Sequence, residues 1–479
     1  MTSVFDNPDA KKKCQIFTPT SVVIRMLDDI NYKSGLYGKK VLDHSCGNGQ
    51  FLKEVVYRYI RDCKEQGFPA KKIRLGLSQD IWGFELDEDC FLECIRTLTN
   101  ITNEHGLGAV KWKIFNCDSL RVPIEQRFEY IIGNPPYLSY WDIPISERKF
   151  IRDSYDSCKN GACDYCFAFV ECALSLLSDN GVLTYIIPSS IFKTRAAQEL
   201  RNMIKPYVRS IYDYKTKKVF DNALTSSAII ILDKADEFKA LSYIDITREI
   251  SFLINKENLG DIWVFRDDIS IIPKGAHRFG DYFRVSTSIA TQYNKAFVLI
   301  GWEEDGTLLK GPNGVIVEKE ATRKAASPKR RITKCCERII FPYYYKNGKK
   351  CRYTENEYKT LFPFAYKYLL TNKDNLLKRD SDKKAAWFEY GRSQALDHLE
   401  QPKILLSSVI TDNVNVFKLN KYEIPYSGMY IVPIGTLSAD DGIRLLKADE
   451  FKNYVDAVGV HVNGNSMRIT ARNIDNYCW

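Results

Sequence analysis

The sequence predicts an α/β fold in which a doubly wound, mostly parallel sheet is followed by a second, strand-rich α+β domain. From about residue 40 to 235, short apolar β-type runs alternate with helical stretches, as in parallel sheets. Beyond about residue 240 the alternation gives way to shorter β-type runs, aromatic residues and turns. In a chain of 479 residues this pattern indicates two domains, at residues 1–240 and 241–479.

The individual elements follow from apolar runs and the turns that end them. Glycine, proline, asparagine and aspartate separate the runs, and Asn347-Gly348 predicts a tight hairpin turn within 343–353. Strands are predicted at 40–43, 81–85, 112–116, 129–133, 182–187 and 228–232. Helices are predicted at 51–65, 88–99 and 167–178, the last ended by a turn at 179–181.

The composition is that of a soluble globular protein, with 45% apolar and 27% charged residues. The longest weakly charged stretch, 165–177, is short and contains Glu171, so we expect no membrane span. No charged segment followed by an apolar run opens the sequence, and its 14 cysteines suit a reducing compartment. We therefore expect a cytoplasmic, nucleoid-associated protein of bacterial type.

Positive charge is concentrated in the second half. Residues 1–250 hold 34 basic and 33 acidic residues, whereas 251–479 hold 35 basic and 27 acidic. Within 310–392 the counts are 21 and 9, which favours contact with a polyanion over a merely solvated surface. The candidate residues for binding a polyanion such as a nucleic acid are Arg330, Arg331, Lys334, Lys349, Lys350, Arg352 and Arg392.

Polar residues at three successive strand ends indicate a nucleoside cofactor. Asp43 ends the first strand, and a Gly-x-Gly turn at Gly47 and Gly49 leads into a helix, where small residues let a ligand approach the backbone. A third glycine, which the dinucleotide fingerprint requires, is absent, so NAD is disfavoured. Glu85 at the next strand end suits ribose hydroxyls, and Asp118 at the third could accept from an adenine amino group.

The tetrapeptide Asn134-Pro135-Pro136-Tyr137 follows the apolar strand 130–133. The Asn134 side chain and the Pro135 carbonyl offer two acceptors for one amino group, and the Tyr137 ring offers a stacking face. The alternative is a simple strand exit, which Pro-Pro turns often make. Together with the cofactor residues, the tetrapeptide indicates transfer of a group to a planar nitrogen.

In its order of motifs the chain resembles the amino-group DNA methyltransferases that use S-adenosyl-L-methionine (AdoMet), in particular the gamma-class N6-adenine enzymes of TaqI type. Gln15-Ile16-Phe17-Thr18-Pro19 precedes the Gly-x-Gly loop, the acidic strand ends and Asn-Pro-Pro-Tyr follow, and 218–221 resembles a late motif. One departure is His44, where the family usually has proline. The resemblance implies the AdoMet-dependent methyltransferase fold, with a basic target-recognition domain at 241–479.

The resemblance also implies roles for individual residues. Thr18 would contact the methionine end of AdoMet, Glu85 its ribose, and Phe220 would stack on the flipped base. The cofactor-binding set is Thr18, Asp43, Ser45, Gly47, Gly49, Glu85, Leu86, Asp118, Ser119 and Pro136. The catalytic set is Asn134, Pro135, Tyr137 and Phe220.

The expected function is site-specific methylation of adenine N6, on a base flipped out of double-stranded DNA, within a restriction–modification or related system. We expect a monomer or weak dimer, with any cognate restriction endonuclease on a separate protein. The alternatives are a protein-glutamine N5 methyltransferase, which also uses Asn-Pro-Pro-Tyr, and a non-catalytic DNA-recognition subunit. Cys158, Cys163 and Cys166 have the spacing of iron–sulfur ligands, but no fourth ligand is evident. We therefore expect no metal.

Overall fold

The computed structural model describes residues 18–217, 219–220, 226–235, 238–266, 277–333, 336–462 and 466–479. The chain forms two compact units, Met1–Asp267 with Val460–Gly464, and Asp268–Gly459 with Asn465–Trp479. The division falls later than the predicted boundary at 240/241. The reason is that two further strands after residue 239 continue the sheet of the first unit.

The first unit is built on one nine-stranded sheet. Its strands are β1 (Val41–Asp43), β2 (Ile81–Glu85), β3 (Lys113–Asn116), β4 (Phe128–Gly133), β5 (Leu177–Pro188), β6 (Val208–Asp213), β7 (Ser227–Asp233), β8 (Ala240–Asp245) and β9 (Ile250–Asn255). Their order is β3-β2-β1-β4-β5-β7-β6-β8-β9. Strands β1 to β5 pair in parallel, as do β6 and β8, whereas β7 is antiparallel to both of its neighbours and β9 is antiparallel to β8. The predicted doubly wound, mostly parallel sheet is confirmed.

Helices cover both faces of this sheet, so successive strand residues enter different cores. In β4, Ile131 belongs to one apolar cluster and Ile132 to the other. Burial on both faces explains why the strands read as continuous apolar runs rather than as alternating ones. The α-helices of the unit are Thr20–Asp29, Gln50–Glu65, Ala70–Asp80, Glu88–Glu104, Ile145–Ser154, Cys166–Leu176 and Gln198–Ile204. Short 3₁₀ turns lie at Asp156–Cys158, Ser189–Phe192, Arg195–Ala197 and Lys256–Asn258.

Two predicted element ends are wrong. The helix predicted to stop at residue 99 continues to Glu104, because Ile101 and Thr102 extend its buried stripe. The predicted turn at 179–181 lies inside β5, which begins at Leu177 and pairs there with Phe128 of β4. No helix in the part of the chain that the structure describes is long and apolar enough to cross a membrane.

The second unit is rich in short strands, as predicted. Its strands are β10 (Phe283–Thr287), β11 (Val298–Ile300), β12 (Glu303–Asp305), β13 (Leu308–Lys310), β14 (Ile316–Glu318), β15 (Thr322–Ala326), β16 (Glu337–Ile340), β17 (Tyr343–Lys346), β18 (Lys349–Arg352), β19 (Lys403–Leu406), β20 (Val409–Ile410), β21 (Val416–Leu419), β22 (Ile424–Pro425) and β23 (Met429–Pro433). A strand of the first unit, β24 (Val460–His461), precedes β25 (Met467–Arg468) of the second.

These strands form several small sheets. Two have four strands, in the orders β10-β23-β19-β21 and β11-β16-β15-β22, and a third has the order β12-β13-β14. Strands β17 and β18 form the predicted hairpin, with Asn347 at φ 51° and Gly348 at φ 71°. These left-handed values are those that an Asn-Gly turn supplies. The helices are Phe279–Tyr282, Asn294–Phe297, Pro328–Ile332, Glu355–Leu361, Pro363–Leu370, Lys373–Leu377, Ala439–Lys447, Asp449–Val458 and Ala471–Asp475, with 3₁₀ turns at Pro312–Gly314, Lys319–Ala321 and Gln394–Leu396.

The strand order of the first unit reverses between β1 and β4, whose carboxyl ends lie side by side. Asp43 pairs with Ile132, so Gly133 is the next residue along this edge. Gly133 has a φ of 147°, and a Cβ built on it would lie 2.8 Å from the Asp43 Oδ1 atom. Only glycine fits both the backbone angle and the space. Open α/β sheets bind ligands at such a reversal.

We expect Gly133→Ala to lower the free energy of unfolding by about 2 kcal/mol or more, since it adds steric overlap to backbone strain. The matched control is Gly106→Ala. Gly106 has a φ of 72° with no atom within 4 Å of the added Cβ, so only the strain of about 1 kcal/mol remains. Urea unfolding of the three proteins measures the difference. Equal losses for the two variants would contradict the close packing at Gly133.

Candidate active site

The Gly-x-Gly loop is held against the end of β2 by Glu85. One Glu85 carboxylate oxygen accepts from the Gly47 amide at 2.8 Å, and the other accepts from the Asp87 amide at 2.8 Å. Gly49 precedes the helix Gln50–Glu65 with a φ of 90°, and a Cβ there would lie 3.0 Å from the Cys94 sulfur. The Gly47 amide therefore bonds to protein. A carboxylate has about four lone-pair sites, so Glu85 keeps acceptor capacity for a ligand.

Asp43 is buried at the end of β1. Its Oδ1 atom accepts from the Ser45 amide at 3.1 Å, while Oδ2 has no hydrogen-bond partner among the described residues. Burial raises the pKa of Asp43 to about 8, the Ser45 amide lowers it in part, and the negative charge of Glu85 raises it further. An Asp43 carboxyl with a spare buried oxygen suits a ligand that carries a hydrogen-bond donor or a positive charge.

Several other buried oxygens in this unit share that property, and two of them belong to the predicted residue Thr18 and to the loop residue Asn48. Thr18 Oγ1 and Asn48 Oδ1 have no partner within the described ranges. A buried polar atom left unsatisfied costs about 1–3 kcal/mol, so these atoms fit a polar ligand such as the nucleoside cofactor that the sequence indicates. Thr18 was among the predicted residues. Asn48 was not selected, although its place between two glycines of the loop was a usable signal.

The tetrapeptide Asn134 to Tyr137 leaves β4 and is fixed on two sides. The Ser45 hydroxyl donates to the Asn134 main-chain carbonyl at 3.3 Å, which ties it to the loop after β1. The Tyr137 hydroxyl donates to the Ile186 carbonyl of β5 at 2.7 Å. Pro135 is buried and Pro136 half-buried, and the Pro135 carbonyl accepts no hydrogen bond from any described residue. The cofactor loop and the tetrapeptide thus form one connected site.

The ring of Tyr137 contacts that of Phe220 edge-on. Their centroids are 6.4 Å apart and their planes make an angle of 66°. Phe220 is buried, and its neighbours 218 and 221–225 of the late motif lie outside the described residues. A flat base cannot stack on both rings at this angle, so stacking of one base between Tyr137 and Phe220 requires one ring to turn.

At the third strand end, Asp118 and Ser119 both bond to other residues of the protein. Asp118 forms an ion pair with Arg121 at 3.0 Å and accepts from the Leu120 amide at 3.0 Å. Ser119 is buried, and its hydroxyl donates to the His44 carbonyl at 3.0 Å. Leu86, by contrast, is exposed and so is accessible to a ligand.

His44 does not open the turn, although the related enzymes usually have proline there. Its ring is buried and lies edge-on to Phe169, with the centroids 6.1 Å apart. Burial lowers the pKa of His44 to about 3, so the ring is neutral. Within the described residues, no group of three or more His, Cys, Asp or Glu side chains is arranged to hold a metal ion.

In the second unit, most of the predicted DNA-binding cations have acidic partners. Arg331 pairs with Glu423, Lys350 with Asp397, Arg352 with Glu389, and Arg392 with Asp380 and Asp382. For the side chains of Arg330 and Lys349, the described residues provide no carboxylate within 4 Å. Lys334 lies outside the described residues.

Arg330 and Arg331 line a pocket of about 480 Å³ in the second unit. Its other lining residues are Glu304, Lys324, Ala325, Cys336, Glu337, Arg338 and Glu423. The pocket holds both hydrogen-bond donors and acceptors, so it can bind polar groups of either kind. Sequence analysis did not single out Arg338 or the three glutamates, because the strands and loops that carry them are far apart in the chain.

Residues 67–220 match the family model of Eco57I restriction-modification methylases. The chain is 25% identical over 364 residues to the Type II restriction enzyme and methyltransferase RM.Eco57I of Escherichia coli, a match that covers 65% of this chain and 34% of the relative. It is 27% identical over 237 residues to the Type II methyltransferase M.BstVI of Geobacillus stearothermophilus, which covers 47% and 42%. The chain thus spans between a third and a half of the length of these relatives.

Two solved structures share the fold over nearly the whole chain. The Type IIL restriction-modification enzyme MmeI, solved in complex with DNA, gives a TM-score of 0.64 at 12% identity and covers 96% of this chain and 64% of its own. The Type ISP restriction-modification enzyme LlaGI, solved with a DNA substrate mimic, gives 0.55 at 13% identity and covers 96% and 46%. At these identities the likeness concerns the fold alone.

The raised pKa of Asp43 predicts a pH-dependent stability. Between about pH 4, where unfolded aspartate titrates, and about pH 8, the folded state binds the extra proton. The contribution of Asp43 to stability therefore falls as pH rises through this window. We expect the Tm of Asp43→Asn minus the Tm of the wild type to increase from pH 5 to pH 8. His44 has a lowered pKa and so contributes the opposite pH dependence of stability. Because both proteins contain His44, its contribution cancels in this difference. A constant difference would contradict the assignment.

The site, the family match and the shared fold agree with one another. The chain has the large, mostly parallel sheet of an AdoMet-dependent methyltransferase fold, and the matched residues 67–220 include β2 to β6 and the tetrapeptide. In its first unit this chain is similar to the methylases of restriction-modification systems and has their fold.

Proposed function

We propose that this protein is a site-specific DNA methyltransferase of restriction–modification type that transfers a methyl group from AdoMet to N6 of an adenine flipped out of double-stranded DNA. The observation that carries the proposal is the link between the tetrapeptide and the cofactor loop. The Ser45 hydroxyl joins the Asn134 backbone to the loop after Asp43, at the point where the strand order reverses. Relatives named as restriction-modification methyltransferases support the same reaction class.

Asn134 and Pro135 activate the nucleophile in this proposal. An exocyclic adenine amine is a poor nucleophile because its lone pair is delocalised into the ring. The Asn134 side-chain oxygen and the Pro135 carbonyl accept the two amino hydrogens and hold the nitrogen out of the ring plane, which localises the lone pair. When bound, AdoMet supplies a methyl group already activated on a sulfonium. The N–C bond forms as the S–C bond breaks, and the amine releases a proton to water.

The cofactor is assigned to the loops at the ends of β1, β2 and β3. Asp43 Oδ2, Thr18 Oγ1 and Asn48 Oδ1 supply buried acceptors for its polar groups. Glu85 offers the remaining lone pairs of its carboxylate to the ribose, and the exposed Leu86 packs on the adenine. Ser45, Gly47, Gly49, Asp118, Ser119 and Pro136 complete the proposed set. Of these, Ser119 acts by tying the third strand end to the β1 loop.

The target base must leave the duplex to reach this site, at a cost of a few kcal/mol. Stacking on an aromatic ring returns about 1–3 kcal/mol per base. Tyr137 is held by its hydroxyl on β5, so we assign the rearrangement to Phe220, which turns from its edge contact to face the base.

The decisive experiment is incubation of the full chain with methyl-labelled AdoMet and DNA of mixed sequence, followed by nucleoside analysis and modification-aware sequencing. We expect N6-methyladenine within one recurring sequence. Label in cytosine would contradict the adenine assignment. Label in protein glutamine, or none at all, would favour a protein-glutamine methyltransferase or a recognition subunit instead.

Asn134→Ala tests the role of the tetrapeptide. We expect transfer to fall at least about 100-fold, because the variant loses an acceptor required in the transition state, while the Kd values for AdoMet and DNA change little. Transfer assays and equilibrium binding measure the two effects separately. A parallel loss of binding and transfer would instead mean that Asn134 is structural.

Arg330→Gln combined with Lys349→Gln tests DNA contact by the second unit. If both cations contact phosphates, the slope of log K against log salt should become less negative by about 2. The control is Lys310→Gln, since Lys310 is paired with Asp305 at 2.7 Å and should leave the slope unchanged. A wild-type slope in the double variant would place the DNA contact elsewhere.

A further inference from the structure

An exposed apolar tip follows the catalytic tetrapeptide. The Trp141 and Ile145 side chains are 76% and 80% exposed, among the most exposed large apolar side chains in the described residues. Large apolar side chains exposed to this degree cost free energy in water and mark surfaces that contact a partner. Trp141 is four residues after Tyr137, so the two Cα atoms are at most about 14 Å apart.

The tip is rigidly braced. Trp141 occupies a central position of a β-turn. The Asp142 amide closes the turn by donating to the Ser139 carbonyl at 2.8 Å. The Ser139 hydroxyl donates to the Asp142 carboxylate at 2.7 Å. On either side, Leu138 and Ile143 are buried in the core of the first unit. The chain therefore enters and leaves the turn through buried residues, while the largely exposed indole contacts the Tyr140 ring edge-on, with the centroids 5.2 Å apart.

Arginine side chains support the tip from the following helix, Ile145–Ser154. Arg148 donates to the Ile143 carbonyl at 2.7 Å and to the Trp141 carbonyl at 3.0 Å, and its guanidinium lies 4.6 Å from the centroid of the Tyr140 ring. The Arg152 guanidinium lies 4.8 Å from the same ring. Lys149, on the same helix, is exposed. The apolar tip thus sits among cations.

We propose that Trp141, with Ile145 beside it, inserts into the DNA duplex at the target site and stabilises the gap that the extruded nucleotide leaves. This inference rests on the proposed function. The indole is a flat aromatic system that can stack on the neighbouring bases, and apolar side chains wedged between base steps are a known way to hold DNA distorted. Arg148, Lys149 and Arg152 are complementary to the phosphates on either side.

The small size of the apolar surface favours DNA over a protein partner. Between Leu138 and Ser154, Trp141 and Ile145 are the large apolar side chains that stand exposed. A stable protein interface buries about 800 Å² on each partner, which two side chains do not supply. A narrow aromatic point flanked by cations suits insertion between bases.

The test compares wild type, Trp141→Ala and Trp141→Phe on two duplexes containing the sequence that the methylation assay identifies. In one duplex the target adenine is paired with thymine, and in the other it is mispaired, so that it flips more easily. On paired DNA we expect kcat/KM of Trp141→Ala to fall about tenfold or more, and on mispaired DNA to return to within about threefold of wild type. Trp141→Phe keeps a stacking ring and should stay within about threefold on both.

A second readout follows flipping directly. With 2-aminopurine at the target position, fluorescence on binding should rise less for Trp141→Ala than for wild type. Leu253→Ala is the matched control, because Leu253 is 74% exposed on β9 and its loss should change neither measurement.

These outcomes distinguish a failure of the proposed Trp141 insertion, called the wedge below, from a failure of the proposed function. A wild-type chain that transfers no methyl group to DNA removes the proposed function and the wedge with it. Transfer by the wild type together with full activity of Trp141→Ala on paired DNA overturns the wedge alone. An equal loss on paired and mispaired DNA also overturns it, since a residue that only shapes the fold gains nothing from a mispair.

Discussion

The close approach of the carboxyl ends of β1 and β4 is the constraint on which the rest of the site depends. Asp43 and Gly133 can lie side by side because Gly133 has no Cβ, and its φ of 147° turns the chain away from the sheet into the tetrapeptide. The Ser45–Asn134 hydrogen bond then joins the two loops. The residues that we propose to hold the cofactor and to activate the target amine thereby lie along one edge of the sheet.

Most of this edge could be predicted because parallel strands place their carboxyl ends together. Asp43, Glu85 and Asn134 were assigned to one site from their positions at strand ends, from the chemistry of the tetrapeptide and from the resemblance to a known family. The pairing of individual side chains was not predictable. The ion pair of Asp118 with Arg121 and the angle between Tyr137 and Phe220 depend on packing that leaves no periodic signal. The strands β8 and β9 were missed because they follow the predicted boundary and β9 is largely exposed.

Two carboxylates near the cofactor loop show how environment divides similar residues. Burial raises the pKa of both Asp43 and Glu85. Each oxygen of Glu85 accepts a hydrogen bond from a backbone amide, whereas Asp43 Oδ2 accepts none from the described residues. Glu85 therefore has a structural role in shaping the loop, as well as the ligand role expected of it. Asp43 has fewer protein contacts to lose, and this leaves it the stronger candidate for direct contact with a ligand.

Charge counts overstate the positive charge that the second unit offers to DNA. Arg331 and Lys350 pair with Glu423 and Asp397, which lie outside residues 310–392, so the excess of basic residues within that segment is partly neutralised. Sequence alone shows the excess and not this pairing, because both acidic partners come from outside the counted segment. The paired arginines are, however, held in fixed orientations, which suits recognition of particular groups better than general attraction.

We propose that one site between β1 and β4 holds both the methyl donor and the target amine. A crystal structure of the full chain with an AdoMet analogue and its DNA sequence would show this directly. We expect an extruded adenine whose amino nitrogen lies within hydrogen-bond distance of Asn134 Oδ1 and the Pro135 carbonyl, with the analogue against Asp43. An analogue bound away from Asp43, or a target base still stacked in the duplex, would contradict it.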